Sequence, residues 1–178
     1  QLIIERGRIR GIFPDTALPV EGELIDLSDC LILPGFVNAH CHLALSVLKG
    51  RISCRDRFTD WARSIIEQNE MVSWENRVLA LHAQGRVMVR SGVTALADFV
   101  PQAELATEYA MLPFRQILFL EVLGFLPALA APIAEGLESF LKQNLNKAKL
   151  TRWGLAPHAP YSVSPTLFHE VKRLADDY

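Results

Sequence analysis

Apolar and polar positions fall into two textures along the chain. Over residues 1–34, short β-like runs (Leu2-Ile3-Ile4, Ile9 to Phe13, Glu23 to Leu27, Leu31-Ile32-Leu33) are cut by Gly7, Pro14-Asp15, Pro19, Gly22 and Ser28-Asp29. Runs of that length between turn formers predict a small antiparallel sheet, the strands of a β-sandwich completed elsewhere. From Gly35 the pattern changes. Phe36-Val37-Asn38-Ala39 is a short apolar strand ending at His40, and Trp61, Ile65 and Ile66 share one face of a helix over residues 60–70. Trp74, Val78, Leu81, Gly85 and Met88 recur at helical spacing, with Gly92 placed just past that helix's end. Val93 to Ala97 and Arg115 to Leu123 read as buried strands, with a short helix over 103–111 between them. Residues 128–148 suit a helix, broken near Pro132 or Gly136. Trp153 to Ala156 is another strand, and Ser164-Pro165 supplies the N-cap and first residue of a last amphipathic helix. The β-α-β-α order over 35–178 implies parallel strands joined by helical crossovers, an α/β class.

Composition narrows the function classes. With 178 residues and 50% hydrophobic positions the chain can bury a core of one domain, or one and a half. Lys and Arg number 18 against 20 Asp and Glu, which removes the basic footprint of a nucleic-acid binder. No apolar run approaches the roughly 20 residues of a spanning helix, and the first residues lack a signal-peptide layout, so no membrane partner and a cytoplasmic location are expected. Cys30, Cys41 and Cys54 are odd in number and form no C-x-x-C pair, against a disulfide framework.

The candidate chemistry lies in two segments. In Pro34-Gly35-Phe36-Val37-Asn38-Ala39-His40-Cys41-His42, two histidines one residue apart at a strand end project from the same face. Two such imidazoles can share a divalent cation, zinc ahead of iron. A bare H-x-H is often incidental; a Pro-Gly turn and an apolar strand before it, at the junction of the two textures, favour the metal reading. Cys41 points to the opposite face and reads as a packed small residue, and Cys54 as structural or incidental. In Ala156-Pro157-His158-Ala159-Pro160-Tyr161-Ser162, His158 sits between stiffening prolines at the end of a strand, where a pocket needs a fixed ionisable group. The alternative is a surface loop. Asp98 and Glu121 fall near strand ends, either as pocket residues or as ordinary carboxylates. His82 and His169 read as helix-surface or packing residues. Arg51, Arg55 and Arg57 read as a solvated basic loop, or as one near an anionic substrate group.

Together these segments resemble the metal-dependent amidohydrolases, in the branch holding cytosine and guanine deaminases, S-adenosylhomocysteine/methylthioadenosine deaminases and triazine chlorohydrolases. The first strands resemble that family's β-sandwich. Leu31 to Leu43 resembles its first barrel strand, Ser91-Gly92-Val93-Thr94-Ala95 the second, and Gly154 to Pro165 the fourth. The resemblance implies the N-terminal part of a (β/α)8 TIM barrel, about four β/α units over 35–178, preceded by sandwich strands over 1–34. It implies His40 and His42 as metal ligands for one divalent ion, and His158 and Glu70 as substrate-binding residues, Glu70 reaching a substrate hydroxyl. The implied reaction is hydrolysis of a C–N bond other than a peptide bond: deamination of an aminated purine or pyrimidine, nucleoside-type, through hydroxide held by the metal.

The same resemblance implies a third metal histidine and a proton-shuttling glutamate around the fifth strand, and an aspartate on the eighth. Only twenty residues follow His158, and they are taken by a loop and one helix containing His169. A complete barrel takes about 250 residues. The chain alone is therefore expected to hold metal weakly and to be inactive, with no catalytic residue of its own. Three arrangements compete: part of a longer hydrolase, a half-barrel that assembles with a copy or partner chain, and a non-catalytic remnant. Gln1 in place of an initiating Met points to a start inside a longer sequence.

Overall fold

Strand β1 (Leu2–Glu5) and strand β2 (Arg8–Ile12) pair antiparallel around Arg6 and Gly7, whose φ angles of 52° and 74° make a two-residue hairpin turn. Both central residues adopt positive φ, the arrangement whose twist matches that of the strands, and glycine takes it without a Cβ penalty. The computed structural model describes residues 1–14, 22–52 and 57–178. Asp15, Pro19, Cys54 and Arg55, all named in the sequence reading, lie outside the described residues. The chain divides into two compact units, Gln1–Leu33 and Pro34–Tyr178.

In the first unit the expected strands over 23–27 and 31–33 do not form. Their apolar content met the compositional condition for a strand, but a strand also needs a ladder partner for its amides and carbonyls. Leu24, Ile25, Leu31 and Ile32 are instead exposed.

The second unit is a four-stranded parallel sheet in the order β3 (Phe36–Cys41), β4 (Val93–Val100), β5 (Arg115–Val122), β6 (Thr151–Pro157). Sequential parallel neighbours with helical crossovers are what a partial TIM barrel shows. The crossovers are α1 (Phe58–Glu70) and α2 (Trp74–Arg90), then α3 (Ala106–Ala110), then α4 (Ala130–Asn144), and α5 (Pro165–Asp177) follows β6. Helix α2 starts at Ser73, whose side chain accepts the Asn76 amide, and stops where Gly92 takes φ 83°. Helix α5 starts at Ser164, which accepts the Leu167 amide at 3.3 Å, with Pro165 as its first residue. Residues 103–111 are a 3-10 turn running into the single-turn α3.

Helix α4 is continuous through Pro132 and Gly136, against the expected break. Pro132 is the third helical residue, where the missing amide would have had no partner within the helix.

Alternate residues of the central strands face the helices. Leu96, Val100 and Leu118 pack with Leu81 of α2 and Tyr109 of α3 in one core cluster. Leu120 and Val122 pack with residues of α4 and α5 in another. Trp153 rests against both. The opposite face of the sheet carries Phe99, Phe119 and Glu121, all half-buried. Register places Phe99 beside Phe119, Phe119 beside Gly154 and Glu121 beside Ala156. A Cβ on Gly154 would lie 2.9 Å from the Phe119 ring, so glycine makes room for that aromatic.

Candidate active site

The C-terminal ends of all four strands converge on one cluster of side chains. Strand β3 runs out of register with β4 between Asn38 and Cys41, and there the His40 amide bonds the Asn38 side chain at 3.2 Å. Register breaks of this kind re-aim side chains beside functional sites. After Cys41 the chain enters a 3-10 turn over Leu43–Leu48, with His42 as the residue before it. The two imidazoles lie with centroids 5.2 Å apart. Both rest on Phe99: His40 at 4.8 Å, and His42 stacked at 5.1 Å with an interplanar angle of 21°. Phe99 in turn stacks on Phe119 at 5.6 Å. An aromatic floor thus spans β4 and β5 beneath the histidine pair.

His158 follows β6 directly, and its amide extends the ladder by bonding the Val122 carbonyl at 3.0 Å. Its Nδ1 lies 2.8 Å from Ser162 Oγ, and that hydroxyl donates to the Ala159 carbonyl at 3.1 Å. Ser162 thus ties one ring nitrogen of His158 to its own loop, and the other, Nε2, faces Glu121 at 3.8 Å. His42 is held below the usual histidine range. Partial burial is the main cause; Glu121 opposes it, while His40 and His158 add to it. That His42 senses all three groups shows that the two sequence segments meet in one field, with its imidazole kept neutral, the ligand form.

The residues fit a divalent ion. With metal–nitrogen bonds of about 2.1 Å and near-tetrahedral angles, two imidazoles on one ion have ring centres roughly 5 Å apart, and the pair stands at 5.2 Å. Among the described residues, no group of three or more His, Cys, Asp or Glu side chains encloses an ion by itself. His40 and His42 are the adjacent imidazole pair of the cluster.

The remaining candidates separate. Glu121 shares the cluster, whereas Asp98 faces the helix side and is fully buried. Asp98 accepts the Leu43 amide at 3.1 and 3.2 Å, beside the Tyr109 hydroxyl and the Cys41 thiol. Burial pushes its carboxyl up to about 6 against those bonds, and pushes the Cys41 thiol up to about 12. Cys41 therefore does point away from the histidines, but it joins a polar cluster as well as the core. Glu70 closes α1, exposed, with no hydrogen bond or ion pair to the three histidines among the described residues. His82 pairs with Glu108 at 2.8 Å between α2 and α3, His169 is exposed on α5, and Arg51 and Arg57 are exposed. Sequence reasoning missed Phe99, Tyr109 and Ser162. For Phe99 the available signal was its alternation with Asp98, and for Ser162 its place four residues after His158.

Comparison with known proteins identifies relatives of the chain and of its fold. The sequence profile of the amidohydrolase family matches residues 31–178. A 5-methylthioadenosine/S-adenosylhomocysteine deaminase of Symbiobacterium thermophilum is 28% identical over 182 residues, covering 99% of this chain and 42% of that protein. The crystal structure of Helicobacter pylori aminofutalosine deaminase in complex with methylthio-coformycin superposes with a TM-score of 0.70 at 27% identity, over 81% of this chain and 35% of that one. The atrazine chlorohydrolase of Arthrobacter aurescens, complexed with zinc, shares the fold with a TM-score of 0.67 at 14% identity, over 82% of this chain and 39% of that one. The chain thus spans less than half the length of each of these proteins.

Proposed function

This chain belongs to the amidohydrolase family, and we propose that it supplies the metal-holding and substrate-orienting part of a hydrolase that removes the amino group of an adenosine-type nucleoside. The observation that carries the reading is the meeting of His40, His42, Glu121 and His158 at the C-terminal ends of β3, β5 and β6, where barrel enzymes place their chemistry. His40 and His42 would hold the ion, zinc ahead of iron. When bound, such an ion supplies Lewis acidity and makes water a nucleophile at neutral pH.

The chain's own residues do the rest of what is proposed here. Ser162 would hold the His158 ring so that Nε2 meets the substrate, with the Glu121 carboxylate beside it favouring an approaching N–H or O–H. The Phe99–Phe119 stack excludes water from beneath the histidine pair and offers a flat apolar surface to a heterocycle. Glu70, exposed at the end of α1, would reach a substrate hydroxyl. The further metal donors and the proton shuttle would come from outside these residues. The β3 and β6 edges, each paired on one side only among the described strands, are where more sheet would join, from the same polypeptide or a partner.

The test is metal analysis after zinc loading, joined to an ammonia-release assay with 5′-methylthioadenosine, S-adenosylhomocysteine and 5′-deoxyadenosine on protein carrying this chain in its complete form. Zinc retention and ammonia release should both fall in His40→Ala and His42→Ala. Retention of both in the double variant would refute the proposal.

A further inference from the structure

We infer that Asp98 and Tyr109 are positioning residues for His42, clamping from the helix side of the sheet the two amides that follow it. The inference rests on the metal reading of His42 and deepens it. The 3-10 turn over Leu43–Leu48 begins inside the core, where Leu43 and Ala44 are almost fully buried. The first amides of any helical turn lack partners within it, and His42, the residue before this one, makes no capping bond with its side chain. The partners come from far along the chain. Leu43 donates to both carboxylate oxygens of Asp98, 55 residues on, at 3.1 and 3.2 Å. Ala44 donates to the Tyr109 hydroxyl, 65 residues on, at 3.2 Å. The Asp98 carboxylate acts on that hydroxyl, so the two clamps are neighbours. Both residues are completely buried, Asp98 in β4 and Tyr109 in α3.

The mechanical consequence is direct. The Leu43 amide belongs to the peptide plane that the ψ of His42 sets, and that ψ is 68°, outside both the strand and the helix regions. Holding the amide at two oxygens fixes this torsion, and the imidazole leaves the same Cα. His40 needs no such device, because its own amide is tied to Asn38. The helix side of the sheet thereby controls the direction of a ring on the opposite side, without Asp98 or Tyr109 touching a ligand.

The experiment titrates protein carrying this chain in its complete form with zinc ion at neutral pH against a chromophoric chelator, in wild type, His42→Ala, Tyr109→Phe and Asp98→Asn. Far-UV circular dichroism checks folding, and hydrogen exchange follows the Leu43 and Ala44 amides. Outer partners of metal ligands typically contribute about 10- to 100-fold in affinity. Tyr109→Phe and Asp98→Asn should therefore weaken zinc binding by about that factor, with helical content intact and both amides exchanging faster. Tyr109→Phe keeps the ring in the core and carries the test should Asp98→Asn fail to fold. Affinity within about twofold of wild type, with the two amides loosened, would show a purely structural role and overturn the inference. Equal zinc binding by His42→Ala and wild type would overturn the metal reading itself, and the inference with it.

Discussion

Replacing Asp98 with Asn should change how stability responds to pH. The Asp98 carboxyl is raised by burial from 3.8 to about 6, in spite of the bonds it accepts. Between these values the unfolded chain has released the proton and the folded chain still holds it. The unfolded state therefore binds fewer protons, and the stability of the wild type falls as pH rises through this window. The full effect of that rise from 3.8 to about 6 is on the order of 3 kcal/mol. About 2 kcal/mol of it falls between pH 4.5 and 7.5. Asn carries no such proton; it keeps one of the two oxygens that accept the Leu43 amide and loses the other. Urea unfolding of both proteins with a metal chelator present, at half-unit pH steps from 4.5 to 7.5, reads the difference. The wild type should lose about 2 kcal/mol relative to Asp98→Asn across the range, most of it below pH 6.5. Parallel stability curves, or a wild type that gains on the variant as pH rises, would show that Asp98 is not held protonated by burial.

Other perturbations test the frame that carries the site. Ser164→Ala removes the oxygen that accepts the Leu167 amide and should cost about 1 kcal/mol, seen as a fall of roughly 2–4 °C in Tm. Gly35→Ala would put a Cβ 2.1 Å from Thr94 Oγ1; it should destabilise by about 1–3 kcal/mol in urea unfolding, and an unchanged midpoint would show that the start of β3 yields freely. Leu118→Ala empties a fully buried position in the central strand and should cost about 2–5 kcal/mol by the same measurement.

Local signals made much of this legible in the sequence. The placement of His40 and His42 side by side, the Gly92 stop and the Ser164-Pro165 start each depend on residues close along the chain, and the structure carries all three; Pro34-Gly35 leads into β3 without the expected turn. What escaped depended on distance or on parity. Asp98 and Glu121 read alike, because β4 and β5 are apolar on both faces and nothing near them says which face each residue takes. Register divided them, sending Glu121 to His158 and Asp98 to the Leu43 amide. Tyr109 carried no signal, since its partner at Ala44 is 65 residues away. Apolar runs over 23–27 and 31–33 suggested strands, but composition does not supply a ladder partner.

The alternation along β5 separates two kinds of constraint at the level of single positions. Gln116, Leu118, Leu120 and Val122 are buried toward the helices, whereas Ile117, Phe119 and Glu121 look the other way. A lineage could exchange Phe119 or Glu121 to suit a differently shaped ligand while the scaffold beneath stays untouched. Innovation and conservation would then interleave residue by residue along one strand.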